Sequence, residues 1–328
     1  MKSGKWKSQL ISSSLPLEFE VAKLLVAKGF STTSDFSYSR SDANAVKDFS
    51  VDLRATYFTR SQRRSPMCEL KLLVECKQRH SSNWLFLPDP NTDDFLPTSW
   101  GHTVRVIDQF SPWFCDSAHS ALDGGAIPVC YKATEITERD RSYDAEIRHG
   151  LFQLQWAVPR LIVESIRESA HSKHDDRSPF FFTAVLVTNA NLFVAHRNIS
   201  TRKIEQATSV RDLGKPVPML VYYLDPGPEF DRHCKLECDS VEHLSKRFAD
   251  TEKERIRNSD YITDLPSSVI STLMRNGDTV PSPFSHFLIC NIAALPHLIN
   301  ELKKIANRHA TNLRPQRRRH RNRRRLSA

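Results

Sequence analysis

Three Glu-x-Lys triplets stand in this chain: Glu69-Leu70-Lys71, Glu75-Cys76-Lys77 and Glu301-Leu302-Lys303. A carboxylate and an ammonium two residues apart share one face of a strand but diverge on a helix, so the underlying element decides whether they act together. The third triplet lies in the helical pattern "PHLINELKKIANRHA", with Pro296 at its start, and is expected to form a solvated face. The first two share "MCELKLLVECKQR", where a period of two puts Glu69, Lys71, Leu73, Glu75 and Lys77 on one side of a strand.

Register then separates those two. If the polar turn "TRSQRRSP" is centred near Gln62 to Arg64, cross-strand partners have numbers summing to 126 or 127, which sets Asp52 of the preceding strand opposite Glu75. Such partners lie roughly 5 Å apart at Cβ. Glu69 would face Tyr57 or Phe58, about 20 Å further along at about 3.3 Å per residue. Two carboxylates this close repel and titrate upward unless a cation lies between them. Asp52 and Glu75, with a carbonyl and waters, are the hard oxygen donors that Mg²⁺ or Mn²⁺ prefers. Lys77 points the same way and could orient a water or neutralise charge on a phosphoryl group, so metal-assisted attack on a phosphodiester is the chemistry expected. Glu20, in the preceding helical pattern, could add a further carboxylate.

These residues, in this order, resemble the PD-(D/E)XK nuclease superfamily: a helix with Phe19-Glu20, a strand with Val51-Asp52-Leu53, then Val74-Glu75-Cys76-Lys77. The helix and the Val-Asp-Leu strand are most similar to the Mrr-like branch. The resemblance implies a restriction-endonuclease-like αβββαβ core, a mixed central sheet flanked by helices. It implies metal-dependent cleavage of DNA, in defence or DNA processing, with Mg²⁺ or Mn²⁺ as cofactor. Its catalytic residues map onto Glu20, Asp52, Glu75 and Lys77, with Asp52 and Glu75 as metal ligands. Val51 stands where the nominal motif has proline, and Glu18 competes with Glu20 for the helix position. Some branches carry a glutamine in the following helix, for which "QLQWAV" offers Gln153 or Gln155.

The elements that must position these groups are legible as patterns. "LPLEFEVAKLLVAKGF" reads as an amphipathic helix stopped by Gly29, and "DFSYSR" and "DFSVDLRATYF" as strands. Residues 81 to 125 read as an irregular cover, with Trp84 to Phe86 lying over the core. "SYDAEIRHGLFQLQWAVPRLIVESIRESAHSKH" reads as a long helix with a kink at Pro159. "FFFTAVLVTNANLFVAH" reads as two strands joined by a turn at Asn189 to Asn191, and "VPMLVYYL" and "FSHFLICNIAAL" as further strands. "SVEHLSKRFADTEKERIRN" reads as a surface helix. The expected organisation is a flexible segment over 1–14, one elaborated α/β domain over 15–310 with its motif core in 15–80, and an Arg-rich tail over 311–328.

The net charge of +9 belongs to that tail. From Arg314 onward stand eight arginines and no acid, and without them 39 basic residues face 38 acidic ones. A segment with nothing to bury repels itself and is expected to be disordered. Arg317, Arg318, Arg319, Arg321, Arg323, Arg324 and Arg325 would give salt-sensitive attraction to phosphates. Nucleic acid is therefore the expected partner, DNA ahead of RNA, and a homodimer or a protein partner also fits. Two rival readings are a catalytically inactive nuclease fold that binds nucleic acid or protein, and an RNA- or ribosome-associated factor acting through the tail. With no apolar run of membrane-spanning length and no signal-like segment, the chain is expected in the cytoplasm or on the nucleoid. Seven scattered cysteines favour reduced thiols. His233, Cys234, Cys238 and His243 invite a zinc reading, but no second cysteine pair supports it, and ordinary thiols and imidazoles are expected.

Overall fold

The computed structural model describes residues 5–42, 45–59, 69–79, 82–88, 90, 105–107, 127–137, 144–171, 180–237, 239 and 284–307. The chain is α/β, with a large mixed sheet flanked by helices. Helices α1 (Lys5–Ser12) and α2 (Leu15–Ala27) lead into an antiparallel meander of β1 (Ser31–Asp42), β2 (Ala45–Phe58) and β3 (Glu69–Lys77). Then come β4 (Asn83–Pro88), β5 (Arg105–Ile107), β6 (Val129–Ile136), the long helix α3 (Ala145–His171), β7 (Phe180–Thr188) and β8 (Asn191–Ala195). Two short helices, α4 (Thr201–Gln206) and α5 (Val210–Leu213), precede β9 (Gly214–Pro216) and β10 (Met219–Tyr223). The described chain closes with a helix over 228–237, strand β11 (His286–Asn291) and a helix over 295–307.

The strand order is β1-β2-β3-β7-β11-β10-β6-β4-β8-β9, with β5 on the first residues of β7. β3 is the hinge of this order, antiparallel to β2 and parallel to β7 from Glu69↔Phe180 to Lys77↔Thr188. A strand in that position is covered on both faces, which explains its continuous burial from Leu70 to Cys76. Two apolar layers do the covering. On one side Ile147, Leu151, Leu154, Val158 and Leu161 of α3, spaced at three and four residues, pack with Leu73, Phe182 and Leu186. On the other, Leu17, Val21 and Leu25 of α2 and Leu298, Leu302 and Ile305 of the last helix pack with Leu70, Leu72 and Val74.

Several expectations change. Trp84 and Phe86 do not lie over the core; they are fully buried within β4, which pairs with β6 and β8. β7 and β8 are consecutive and separated by a turn, yet they are not neighbours, because β8 pairs with β4 and β9 instead. The segment read as a flexible N-terminus holds α1. The long helix read from the periodicity is present as α3, with Pro159 inside it. The third triplet is not a solvated face: Glu301 and Leu302 are buried, and Lys303 Nζ donates to Lys28 O at 2.6 Å above the Tyr57 ring. Packing of the last helix against α2 draws its polar residues into the interface, which the periodicity of that segment does not convey.

Candidate active site

The β2–β3 ladder runs from Phe58↔Glu69 to Leu53↔Val74 and then stops. Those pairs sum to 127, so the next pair in register is Asp52 and Glu75. Instead of a backbone ladder, the two carboxylates take over. Cys76 N donates to Asp52 Oδ2 at 2.7 Å, and Asp52 N donates weakly, at 3.4 Å, to Glu75 Oε2. Each side chain thus holds a backbone N–H on the opposite strand.

Lys77 Nζ donates to Glu75 Oε1 at 2.8 Å and to Gln153 Oε1 of α3 at 3.2 Å. Gln153 in turn donates to Ser50 O at 3.0 Å, so it ties the ammonium to β2. Gln155, the other glutamine offered by the sequence, is buried elsewhere and donates to Phe284 O at 2.6 Å. Helix spacing explains the split, since residues two apart point in different directions.

α3 can lie this close because of Gly150. A Cβ there would come within 2.7 Å of Leu186 Cδ1 and 2.9 Å of Lys77 Cε, nearer than side chains tolerate. Fifteen and eighteen residues further on, α3 also covers the first triplet: Lys71 Nζ donates to Ser165 Oγ at 2.9 Å and Glu168 Oε2 at 2.8 Å, and pairs with Glu69 at 3.1 Å. That lysine is a buried structural ion-pair centre. The same helix therefore occupies one triplet with an acid and leaves the other with a neutral amide.

Burial dominates the electrostatics. It pushes the Asp52 carboxyl up to about 6, against the N–H of Cys76, with the charges of Glu18 and Asp35 adding and that of Lys77 opposing. It pushes Glu75 up to about 7, with Lys77 opposing and Asp52 adding. Glu75 is 1% exposed, so a single ammonium does not compensate both carboxylates. The Tyr38 hydroxyl is pushed up by burial and then by Glu75, and His149 is pushed down by burial and then by the Lys77 charge.

On α2, Glu18 is half-buried and its charge acts on both Asp52 and Cys76, whereas Glu20 is exposed. The two point apart, and Glu18 is the one turned toward the site. Sequence reasoning missed Asp35, Tyr38 and Gly150; only Gly150 left a trace, as a glycine on the apolar face of a helical pattern. The arginines of the tail, together with Cys238 and His243, lie outside the described residues. His233 is buried, with Nε2 2.9 Å from Trp156 O, and Cys234 is a buried thiol.

Among the described residues no group of three or more His, Cys, Asp or Glu side chains could hold a metal by itself. Asp52 and Glu75 offer two carboxylates, the number with which Mg²⁺ commonly binds when substrate phosphate and water complete its shell. No family model, no curated protein and no solved structure matches the chain.

Proposed function

We propose that the chain is a metal-dependent nuclease that hydrolyses DNA phosphodiester bonds. The observation that carries this reading is the pairing of a buried carboxylate, Glu75, with a partly buried one, Asp52, each resisting ionisation through desolvation, with one ammonium beside them. A divalent cation would relieve that imbalance, and hard oxygen donors on a rigid sheet suit Mg²⁺ or Mn²⁺. The order helix, three-stranded antiparallel meander, helix and parallel strand, formed by α2, β1 to β3, α3 and β7, agrees with the αβββαβ core that the resemblance implies.

Asp52 and Glu75 would hold the metal, which when bound supplies a Lewis acid and an activated water. Lys77 holds a proton-donating ammonium next to Glu75 and would orient the attacking water or meet charge developing on the phosphoryl oxygens. Gln153 fixes where that ammonium points. Glu18 is the helix acid of this proposal in place of Glu20, because its charge reaches Asp52. The arginine tail would add affinity for the phosphate backbone rather than turnover.

One observation favours an inactive relative. Each carboxylate already accepts a backbone N–H, and Glu75 a lysine too, so the site holds together with its own partners. Incubating the protein with plasmid, linear and single-stranded DNA and RNA, with and without Mg²⁺ or Mn²⁺, beside Lys77→Ala, decides between them. Metal-dependent cleavage lost in the variant is expected. Binding without metal-dependent cleavage favours the inactive module, and loss of all function on deleting residues 314–328 favours the tail-centred factor.

A further inference from the structure

The β1–β2 hairpin changes the face it buries half-way along, and it does so at Asp35 and Asp52. Before the change, Leu53, Ala55 and Tyr57 pack with α2 and the last helix, while Arg54 faces α3, donating to Glu164 at 2.9 Å. After it, Val51 packs in the α3 layer with Phe36 and Tyr38. In a regular strand Leu53 and Val51 would share a face. β1 shows the same reversal: Thr33 accepts from Arg54 Nε on the α3 side, yet Phe36 also faces that side, with the Arg54 guanidinium 5.4 Å from its ring centre. The register of the hairpin continues unchanged through the reversal, from Ser34↔Leu53 to Phe36↔Val51, with Asp35 and Asp52 the opposed pair left between.

Asp35 has φ +55, and it is the one non-glycine residue among those described with positive φ. The left-handed region is disfavoured for side chains with a Cβ, but Asp and Asn enter it more readily than others. A single such residue in a strand bends it and increases its local twist. Here the bend falls where β2 leaves β3, so that Asp52 presents its carboxylate to Cys76 N rather than continuing the ladder.

We propose that Asp35 is a positioning residue whose left-handed backbone, not its carboxylate, places Asp52 in the site. The value of that placement for cleavage rests on the nuclease reading above. The carboxylate of Asp35 is exposed, and its charge opposes ionisation of Asp52 rather than assisting it. Glycine can keep the bend without a side chain, asparagine can keep it without the charge, and alanine or valine oppose it.

The test has two arms. In the first, Mg²⁺-dependent cleavage is compared for Asp35→Gly, Asp35→Asn, Asp35→Ala and Asp35→Val. Gly and Asn are expected to stay within about threefold of the parent kcat, whereas Ala and Val lose about tenfold or more in kcat with little change in KM. In the second, amide exchange is followed by NMR without metal or substrate. Exchange at Cys76, whose N–H is held by Asp52, is expected to accelerate in Ala and Val but not in Gly, while ladder amides such as those of Leu72 and Leu73 keep their protection. Alanine, which adds little bulk, keeps the comparison open if valine does not fold. Equal loss in Gly and Val would overturn the proposal, because the carboxylate would then be the needed part; so would unchanged Cys76 exchange in Ala. A parent protein that does not cleave, with Cys76 exchange following the backbone as described, would remove the nuclease reading and leave the positioning role standing.

Discussion

Asp52 and Glu75 cross-cap one another: the carboxylate of each accepts a backbone N–H from the strand of the other, at the point where the β2–β3 ladder ends. The ladder is therefore closed by side chains, and the two charges are held together by the same contacts that finish the sheet.

Removing the ammonium separates turnover from folding. Lys77→Met keeps the aliphatic stem against α3 and is expected to lower the cleavage rate by about 10²–10³, the scale of losing one charge-stabilising donor. Its circular dichroism spectrum should match the parent. Full activity in this variant would remove Lys77 from the mechanism.

The pH dependence follows from the raised carboxyls. In the unfolded chain Asp52 and Glu75 titrate near 3.8 and 4.5, and in the fold near 6 and 7, so between about 4 and 7 the folded state binds more protons. Stability without metal should therefore fall as pH rises through that window. Mg²⁺ or Mn²⁺ should restore melting temperature above pH 7 and have little effect near pH 5. Asp52→Asn should flatten both responses, measured by thermal unfolding across pH with and without cation.

Gly150→Ala pits two effects against each other. Alanine favours a helix by about 1 kcal/mol over glycine, whereas overpacking costs about 1–3 kcal/mol. With Leu186 and Lys77 both closer than 3 Å to the new Cβ, overpacking is expected to prevail, lowering both the denaturation midpoint and the cleavage rate. A more stable variant with unchanged activity would show that α3 can shift without disturbing the site.

The two glutamines should part company. Gln153→Ala releases Lys77 and is expected to reduce activity more than stability. Gln155→Ala leaves the buried Phe284 carbonyl without its donor and should cost about 1–3 kcal/mol of stability, read from chemical denaturation.

On α2, Glu18→Gln should weaken cleavage and lower the pH at which Asp52 ionises, and Glu20→Gln should do so much less. Equal effects of the two substitutions would contradict the orientation of the helix.

The register was readable because a short polar segment between two strands and a period of two leave little freedom: Leu53 does pair with Val74, and Phe58 with Glu69. The choice within Gln153/Gln155 and within Glu18/Glu20 was not readable. In each case both residues suit the motif, and only the rotation of a helix against the sheet separates them. Asp35 was invisible for a different reason, since an aspartate in a Ser-rich strand carries no sign of its backbone torsion. The burial of Glu301 depended on which helix met which, a long-range fact that a local pattern does not hold.

The hydrogen bond from Lys303 to Lys28 O spans 275 residues of chain. α2 and the helix over 295–307 together cover the face of β3 behind the site, so that layer is made of segments from the two ends of the described fold. During synthesis, α2 alone can cover Leu72 and Val74 on that side until residues near 300 have left the ribosome. Closing contacts of such long range is slow. Assembly of the carboxylate pair into a fully packed sheet is consequently a late event in the life of the chain.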